Sequence, residues 1–507
     1  MLRRDLSKLL AAGATGAVLL PENGRTQTPV PGPSHSERTP EEIKAGVTPV
    51  NPNYPPGNVL RHGADPTGSA SSDRALADAI RVATVAQSGG LITLPPGAYT
   101  YSSGLSWNAP NVNIVGTGTW DSNQMPAQPA PTTLNYTGNG EAITVGRPYS
   151  NGATPYGGMY FSSFKLKGNA SATNGIHLYY STTAKLERML VRDFTRRGAA
   201  AVYADNRWQD ITVLDWIEFN NNYTGLALAA VNDSTQINNC EFQYHTGPAV
   251  VLGQIAVGTT SHVVSFNSCQ FAFNGGSLRS GPADVQILSG NTINFLSCYF
   301  ENGLAEELYS VVVGDVTNDR NSTIVRNINF FGCLFQGSKI NRYAVQVANN
   351  RVYNLNFYGC TFLNFTAAAI DNSFITDSQG SIYVDPGCSL NGTPQFFANN
   401  APAAGRHTTS IVPAVLGAIR SHRVIAAEVS AFTAIAPGSA QTRTVTVAGV
   451  VATDFCLAMP SAALQTGLVL GYAVVSGANT VELELANVTS QPITPTAMGW
   501  KFLVVGQ

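Results

Sequence analysis

Ile237-Asn238-Asn239-Cys240-Glu241-Phe242 is the stretch that decides the fold, because its frame returns four more times. Phe266–Phe271, Phe295–Phe300, Phe330–Phe335 and Phe357–Phe362 repeat it: an apolar residue, two small or polar residues, cysteine, any residue, phenylalanine. The cysteines are Cys240, Cys269, Cys298, Cys333 and Cys360, in steps of 29, 29, 35 and 27 residues. Self-similarity at a period of roughly 20 to 50 residues marks a repeat architecture. The frame also extends backward without cysteine, through Leu214–Phe219, Val191–Phe194 (with Arg196 where phenylalanine is expected) and Phe161–Leu166. This reading sets Phe164, Phe194, Ile217 and the five cysteines in one register. Each copy is short, alternating, rich in β-branched or aromatic residues, and closed by Asn or Gly, as at Asn220, Gly247, Asn274, Asn302, Gly337 and Asn364. Those are strand and turn signals. No amphipathic helix separates the copies, which argues against βαβ units. An all-β solenoid follows, a parallel β-helix whose equivalent residues stack about 4.8 Å apart. The cysteine column is then an internal ladder of buried thiols, not a disulfide framework or a zinc site.

The chain has 507 residues, of which only 12% are charged, with a net charge of −2. There is no basic face for nucleic acid and no apolar run of the roughly 20 residues needed to span a bilayer. Neither a phosphate loop nor a G-x-S-x-G motif occurs, and no cluster of Asp makes a calcium site. The expectation is no cofactor, no metal and no nucleic-acid partner.

Residues 1–20 carry Arg3-Arg4 before an apolar stretch from Leu9 to Leu20. They resemble a twin-arginine export signal; a short helix packed against another element is the alternative. Residues 21–56 are proline-rich, a linker or docking segment interrupted by one short helix at Thr39-Pro40-Glu41-Glu42. The folded body is expected over 57–395, a connector over 396–423, and a small antiparallel β-domain over 424–507. Early in the body, Ser72 is placed to cap a helix with an apolar face of Leu76, Ala79, Ile80 and Ala83.

Gly63-Ala64-Asp65-Pro66-Thr67-Gly68, that helix, Leu94-Pro95-Pro96-Gly97-Ala98-Tyr99 and Ile114-Val115-Gly116 together resemble the start of a pectate lyase superfamily β-helix. The resemblance covers residues 57 to about 395. It implies a right-handed coil whose open end the helix caps. It says little of activity, since the superfamily hosts lyases, hydrolases and phage spikes. The C-terminal segment, with Asn479–Thr489 and a closing Trp500-Lys501-Phe502 strand, resembles C-terminal domains of phage tailspikes. That implies a trimerisation unit; a carbohydrate-binding module is the alternative.

Sugar chemistry needs paired carboxylates, and sugar binding needs aromatic faces and guanidinium forks. These coincide most densely between Arg188 and His245. Glu218 and Glu241 each follow the register position, so both face outward on successive rungs and form the leading catalytic pair; Asp215 is the next candidate. Arg192, Arg196, Trp208, Trp216, Tyr244 and His245 are the expected substrate-binding residues. Later rungs carry Gln270, Tyr299, Leu334 and Thr361 at the equivalent outward place. The functional expectation is a tailspike-type protein, a homotrimer held to a phage tail or baseplate by its N-terminus. It would bind and depolymerise a bacterial surface polysaccharide. Its rivals are an exported bacterial polysaccharide lyase or hydrolase and a spike that binds without catalysis.

Overall fold

The computed structural model describes residues 38–398 and 421–506, apart from 87–88, 120–130, 149–155, 206–208, 211, 230–231, 254–260, 275–282, 302–308, 315–323, 339–340, 349–350, 374–381, 386, 430 and 453. The N-terminal signal-like segment, most of the connector, and Trp208 and Asn302 lie outside the described residues.

A right-handed parallel β-helix runs from the strand Gly90–Thr93 to the strand Ser389–Asn391. One wall is a 20-stranded parallel sheet and another a 10-stranded parallel sheet. The frame residues occupy the larger sheet. Cys240, Cys269, Cys298, Cys333 and Cys360 stack on consecutive rungs and are buried. Cys388 continues the column as a sixth member, its rung pairing through Thr361 and Ser389. Each thiol from Cys269 onward reaches a backbone carbonyl of the rung before, as in Cys269 to Ile237 (3.3 Å) and Cys333 to Phe295 (3.3 Å). A small apolar side chain with a weak S–H donor suits that position. Beside the column run two phenylalanine ladders. Phe219, Phe242, Phe271, Phe300, Phe335 and Phe362 stack with centroids 4.7–5.0 Å apart. Phe266, Phe295, Phe330 and Phe357 do the same at 4.7–5.0 Å.

The frame's preference for small or polar residues before cysteine has a backbone cause. The residue there turns a corner with a left-handed φ of 50–60°, between two short strands at Ser163, Asn239, Ser268, Ser297, Gly332 and Gly359 and as a bend within the continuous strands Lys185–Arg192 and Val213–Asn220 at Arg188 and Trp216. Left-handed backbone favours Gly and Asn and penalises bulky side chains.

Strand pairing corrects the register at one rung. Met189, not Phe194, shares the column with Phe164 and Ile217, because Leu190 pairs with Lys165 and Met189 with Ile217. The true copy is Leu186–Val191, five residues before the segment that the sequence suggests. Phe194 belongs to the next corner, where its amide donates to Asn222 Oδ1 (3.0 Å).

At the N-terminal end the helix Asp73–Val85 buries Leu76, Ala79, Ile80 and Ala83 against the first rung. Gly90 permits this approach, since a Cβ there would stand 2.3 Å from Ala83. Ser72 occupies the N-cap position, but its hydroxyl accepts from the Asp65 amide (3.1 Å) instead of capping the helix. The short helix Pro40–Lys44 carries a full capping box from Thr39 and Glu42. Glu42 is also the buried partner of Arg61, which donates besides to the carbonyls of Pro52 and Tyr54. That pair fixes the proline-rich segment to the solenoid; removing one member would leave a buried charge alone.

The C-terminal segment forms two three-stranded antiparallel sheets around a core of its own that includes Trp500, Phe502 and Leu483. Strand Phe455–Pro460 lies at the edge of one sheet and points Phe455, Leu457 and Met459 outward, each more than half exposed.

Candidate active site

A cleft of about 600 Å³ opens on the outer face of the larger sheet. Its floor is the parallel pair Lys185–Arg192 and Val213–Asn220, and Asn239 and Glu241 close its upper end. Gly118, Thr119 and Ser163 form the lower end.

Glu218 and Glu241 stand directly opposite each other on neighbouring rungs, and both line the cleft. Glu218 accepts from Asn220 Nδ2 (2.9 Å), and Glu241 from Gln243 Nε2 (2.8 Å). The nearby cations are engaged elsewhere: Lys185 and Arg188 pair with Glu187, and Arg192 with Asp193. Among the described residues none pairs with Glu218 or Glu241. Crowding around the Glu241 carboxyl, although the residue remains exposed, and then the charge of Glu218 raise its pKa above the ordinary range.

The other expected residues divide. Trp216 and Arg192 line the cleft. Asp215 does not join the glutamates: it precedes the Trp216 corner, pairs in register with Asn238, and accepts from Asn239 Nδ2 (3.3 Å). Arg196 is exposed in the turn after Phe194, away from the cleft lining. Tyr244 is half exposed just past the cleft, its ring stacked on Phe273 at 5.6 Å. His245 requires a correction. Its ring is fully buried, with Nδ1 at hydrogen-bond distance from the Asn222 backbone, so it cannot touch a ligand on this face. It belongs to an internal polar column with Asn222 and Asn274, whose side chains bond the backbone of the adjoining corners.

Two further residues matter here, Arg188 in the cleft lining and Glu187, which holds it from the row of Asp215. Burial opposes ionisation of Glu187, but bonds from Lys185, Tyr160 and Arg188 outweigh it and hold its pKa at about 2. Arg188, held to Glu187 at 2.6 Å, lines the cleft below Trp216. The misplaced repeat copy hides both, since they are its second and third residues once the register is right.

Residues 57–361 match the family model described as rhamnogalacturonase A/epimerase, pectate lyase-like, and the chain belongs to that family. Three solved structures are similar in coil shape. A tailspike protein mutant of E. coli bacteriophage HK620 in complex with pentasaccharide is 12% identical, over 89% of this chain and 93% of that one, with a TM-score of 0.48. The Azotobacter vinelandii mannuronan C-5 epimerase A-module is 16% identical over 69% and 97%, with a TM-score of 0.45. The catalytic unit of a Streptomyces thermodiastaticus α-1,3-glucanase is 14% identical over 68% and 71%, with a TM-score of 0.43. No curated protein matches the chain.

Proposed function

We propose that this protein is a tailspike-type depolymerase that binds and cleaves a bacterial surface polysaccharide, either a capsule or a lipopolysaccharide O-chain, in the cleft over Glu218 and Glu241. One observation carries the reading: two carboxylates face each other across neighbouring rungs of an open cleft, with no cation at either among the described residues. Membership of a pectate lyase-like family agrees with a polysaccharide substrate.

Neighbouring strand positions lie about 4.8 Å apart, close to the roughly 5–5.5 Å that separates the carboxyls of retaining glycosidases. Glu241, with its raised pKa, is suited to protonate the glycosidic oxygen. As that C–O bond breaks, the Glu218 carboxylate attacks the anomeric carbon and forms a glycosyl ester. The Glu241 carboxylate then takes a proton from water, whose oxygen displaces Glu218 and regenerates both groups. Rate should fall at high pH as Glu241 loses its proton. The test is a panel of capsular and O-chain polysaccharides with released oligosaccharides measured. Glu218→Gln and Glu241→Gln should each lower turnover by about 10²-fold or more with the fold intact. Parental turnover in both removes the catalytic role and leaves binding alone.

The same reading makes the protein a homotrimer on a phage tail, with the N-terminal segment docked to the particle. Support for assembly comes from the edge strand Phe455–Pro460, whose exposed Phe455, Leu457 and Met459 form an apolar face beside open backbone groups. Light scattering should give three chains per particle; a stable monomer at micromolar concentration contradicts it.

A further inference from the structure

The corner residues of the solenoid obey a rule that is broken beside the glutamates. At the first corner the left-handed position holds Ser163, Asn239, Ser268, Ser297, Gly332 or Gly359, but Arg188 and Trp216 on the two rungs that floor the cleft. At the second corner, across the short strand, it holds Asp193, Asn221, Asn364 or Gly392, but Tyr244 and Phe273 on the two rungs just above. A large side chain in left-handed backbone is strained, and such strain persists where the surroundings impose it, often at functional sites. Burial does not explain these choices, because Trp216 is 64% exposed, Tyr244 49%, and the Arg188 side chain 64%. Two other bulky corner residues, Tyr180 and Val263, lie outside this pattern.

The geometry spans the site from corner to corner. Trp216 bends the strand Val213–Asn220 two residues before Glu218, and Asn221 follows its end. Tyr244 stacks on the rung above Asn221, because Asn220 pairs with Gln243. Five residues of strand cover roughly 16 Å, and the cleft occupies that width from Trp216 to Asn220.

We propose that the left-handed corners hold two carbohydrate platforms, Trp216 with Arg188 at one end and the Tyr244–Phe273 stack at the other. A glycan lies along the strands, across the solenoid axis, with the bond to be cleaved above Glu218 and Glu241 between the platforms. This rests on the site proposed above and adds its footprint and direction. The Trp216 ring offers its face to the C–H surface of a sugar ring, and Arg188, held by Glu187, supplies donors to that ring's hydroxyls. The Tyr244–Phe273 pair meets a sugar on the far side of the glutamates.

The platform carries a conformational cost that substitution reveals. Trp216→Asn puts a residue tolerant of left-handed backbone into a mostly exposed position. It should raise the melting midpoint, by roughly 2–6 °C, while weakening binding by about 10-fold or more. Binding is read on immobilised lipopolysaccharide and capsular polysaccharide, in a Glu241→Gln background so that the chains stay whole. Tyr244→Asn should weaken binding of long fragments more than of fragments too short to reach from one platform to the other. Ser297→Gly, at the same corner three rungs above Trp216, should leave binding unchanged. The proposal is overturned if Trp216→Asn melts at or below the parental temperature, if it binds as the parent does, or if Ser297→Gly weakens binding equally. Normal binding by Trp216→Asn alongside dead Glu218→Gln and Glu241→Gln enzymes would sink the platforms and leave the catalytic pair standing. Weakened binding with full turnover in both Gln variants would do the reverse.

Discussion

The rungs from Cys269 to Cys388 and the rungs from Leu186 to Glu241 are built on one backbone plan but use it differently. In the upper set the inner columns repeat, sulfur over sulfur and ring over ring at 4.7–5.0 Å, until Val384 and Leu390 replace the two phenylalanines at the Cys388 rung. Its outer row, Gln270, Tyr299, Leu334 and Thr361, carries no carboxylate. In the lower set the inner column changes to Met189 and Ile217, the outer row becomes Leu190, Glu218 and Glu241, and the corners take Arg188 and Trp216. Uniform stacking makes each rung a good template for the next. Departures from it concentrate where local rules yield to chemistry.

The largest effect that probes this contrast is Cys298→Asp. Cys298 is buried between thiols, and burial together with the Cys269 thiol pushes its own ionisation far above the usual range. A carboxylate there would have no partner, so loss of more than about 4 kcal/mol is expected, enough to abolish soluble folded protein. Normal expression with cooperative melting at the parental temperature would show that the column is not the structural spine.

Smaller effects come from pH and carry opposite signs in the lower rungs. Glu187 has a depressed folded pKa, about 2, against an unfolded value near 4.3. Its stabilisation is present above the unfolded pKa and is lost as pH falls toward 2. Glu241 has a raised folded pKa, so its protonated form is the one the fold favours, and stability declines as pH rises through that value. Glu187→Gln should therefore lower the melting midpoint at pH 7 and flatten its acid decline. Glu241→Gln should raise the midpoint slightly at pH 7 relative to pH 4. Melting curves of both variants across pH 3–8 check the signs; a common sign would mean that the two carboxylates do not sit in the environments described.

The coil and its cysteine ladder were legible because stacking writes the same residue type at nearly constant spacing. Legibility failed where the ladder loses its marker. Val191–Phe194 imitates the frame, apolar then two polar then apolar, and only strand pairing shows that Leu186–Val191 is the copy. That slip removed Glu187 and Arg188 from view. His245 is hard to place from sequence for a related reason. Polar residues at a corner look exposed in sequence, yet Asn222, His245 and Asn274 repeat with steps of 23 and 29 residues, the steps that separate Ile217, Cys240 and Cys269. Residues that share the steps of an internal column belong to the coil's own lattice. Glu218 and Glu241 are legible as a pair because each directly follows a position of the inner column, and Asp215 reads as joining them only because a one-dimensional frame does not show the corner at Trp216.

On the mechanism proposed above, Glu218 and Glu241, adjacent across one rung step, act as a retaining pair. Proton NMR of the freshly cleaved polysaccharide reads this directly, through the anomeric configuration of the new reducing end before mutarotation. The configuration of the cleaved bond should be kept, and Glu218→Gln should release product about 10²-fold or more slowly. An inverted anomer, or an unsaturated non-reducing end such as a lyase leaves, would contradict it.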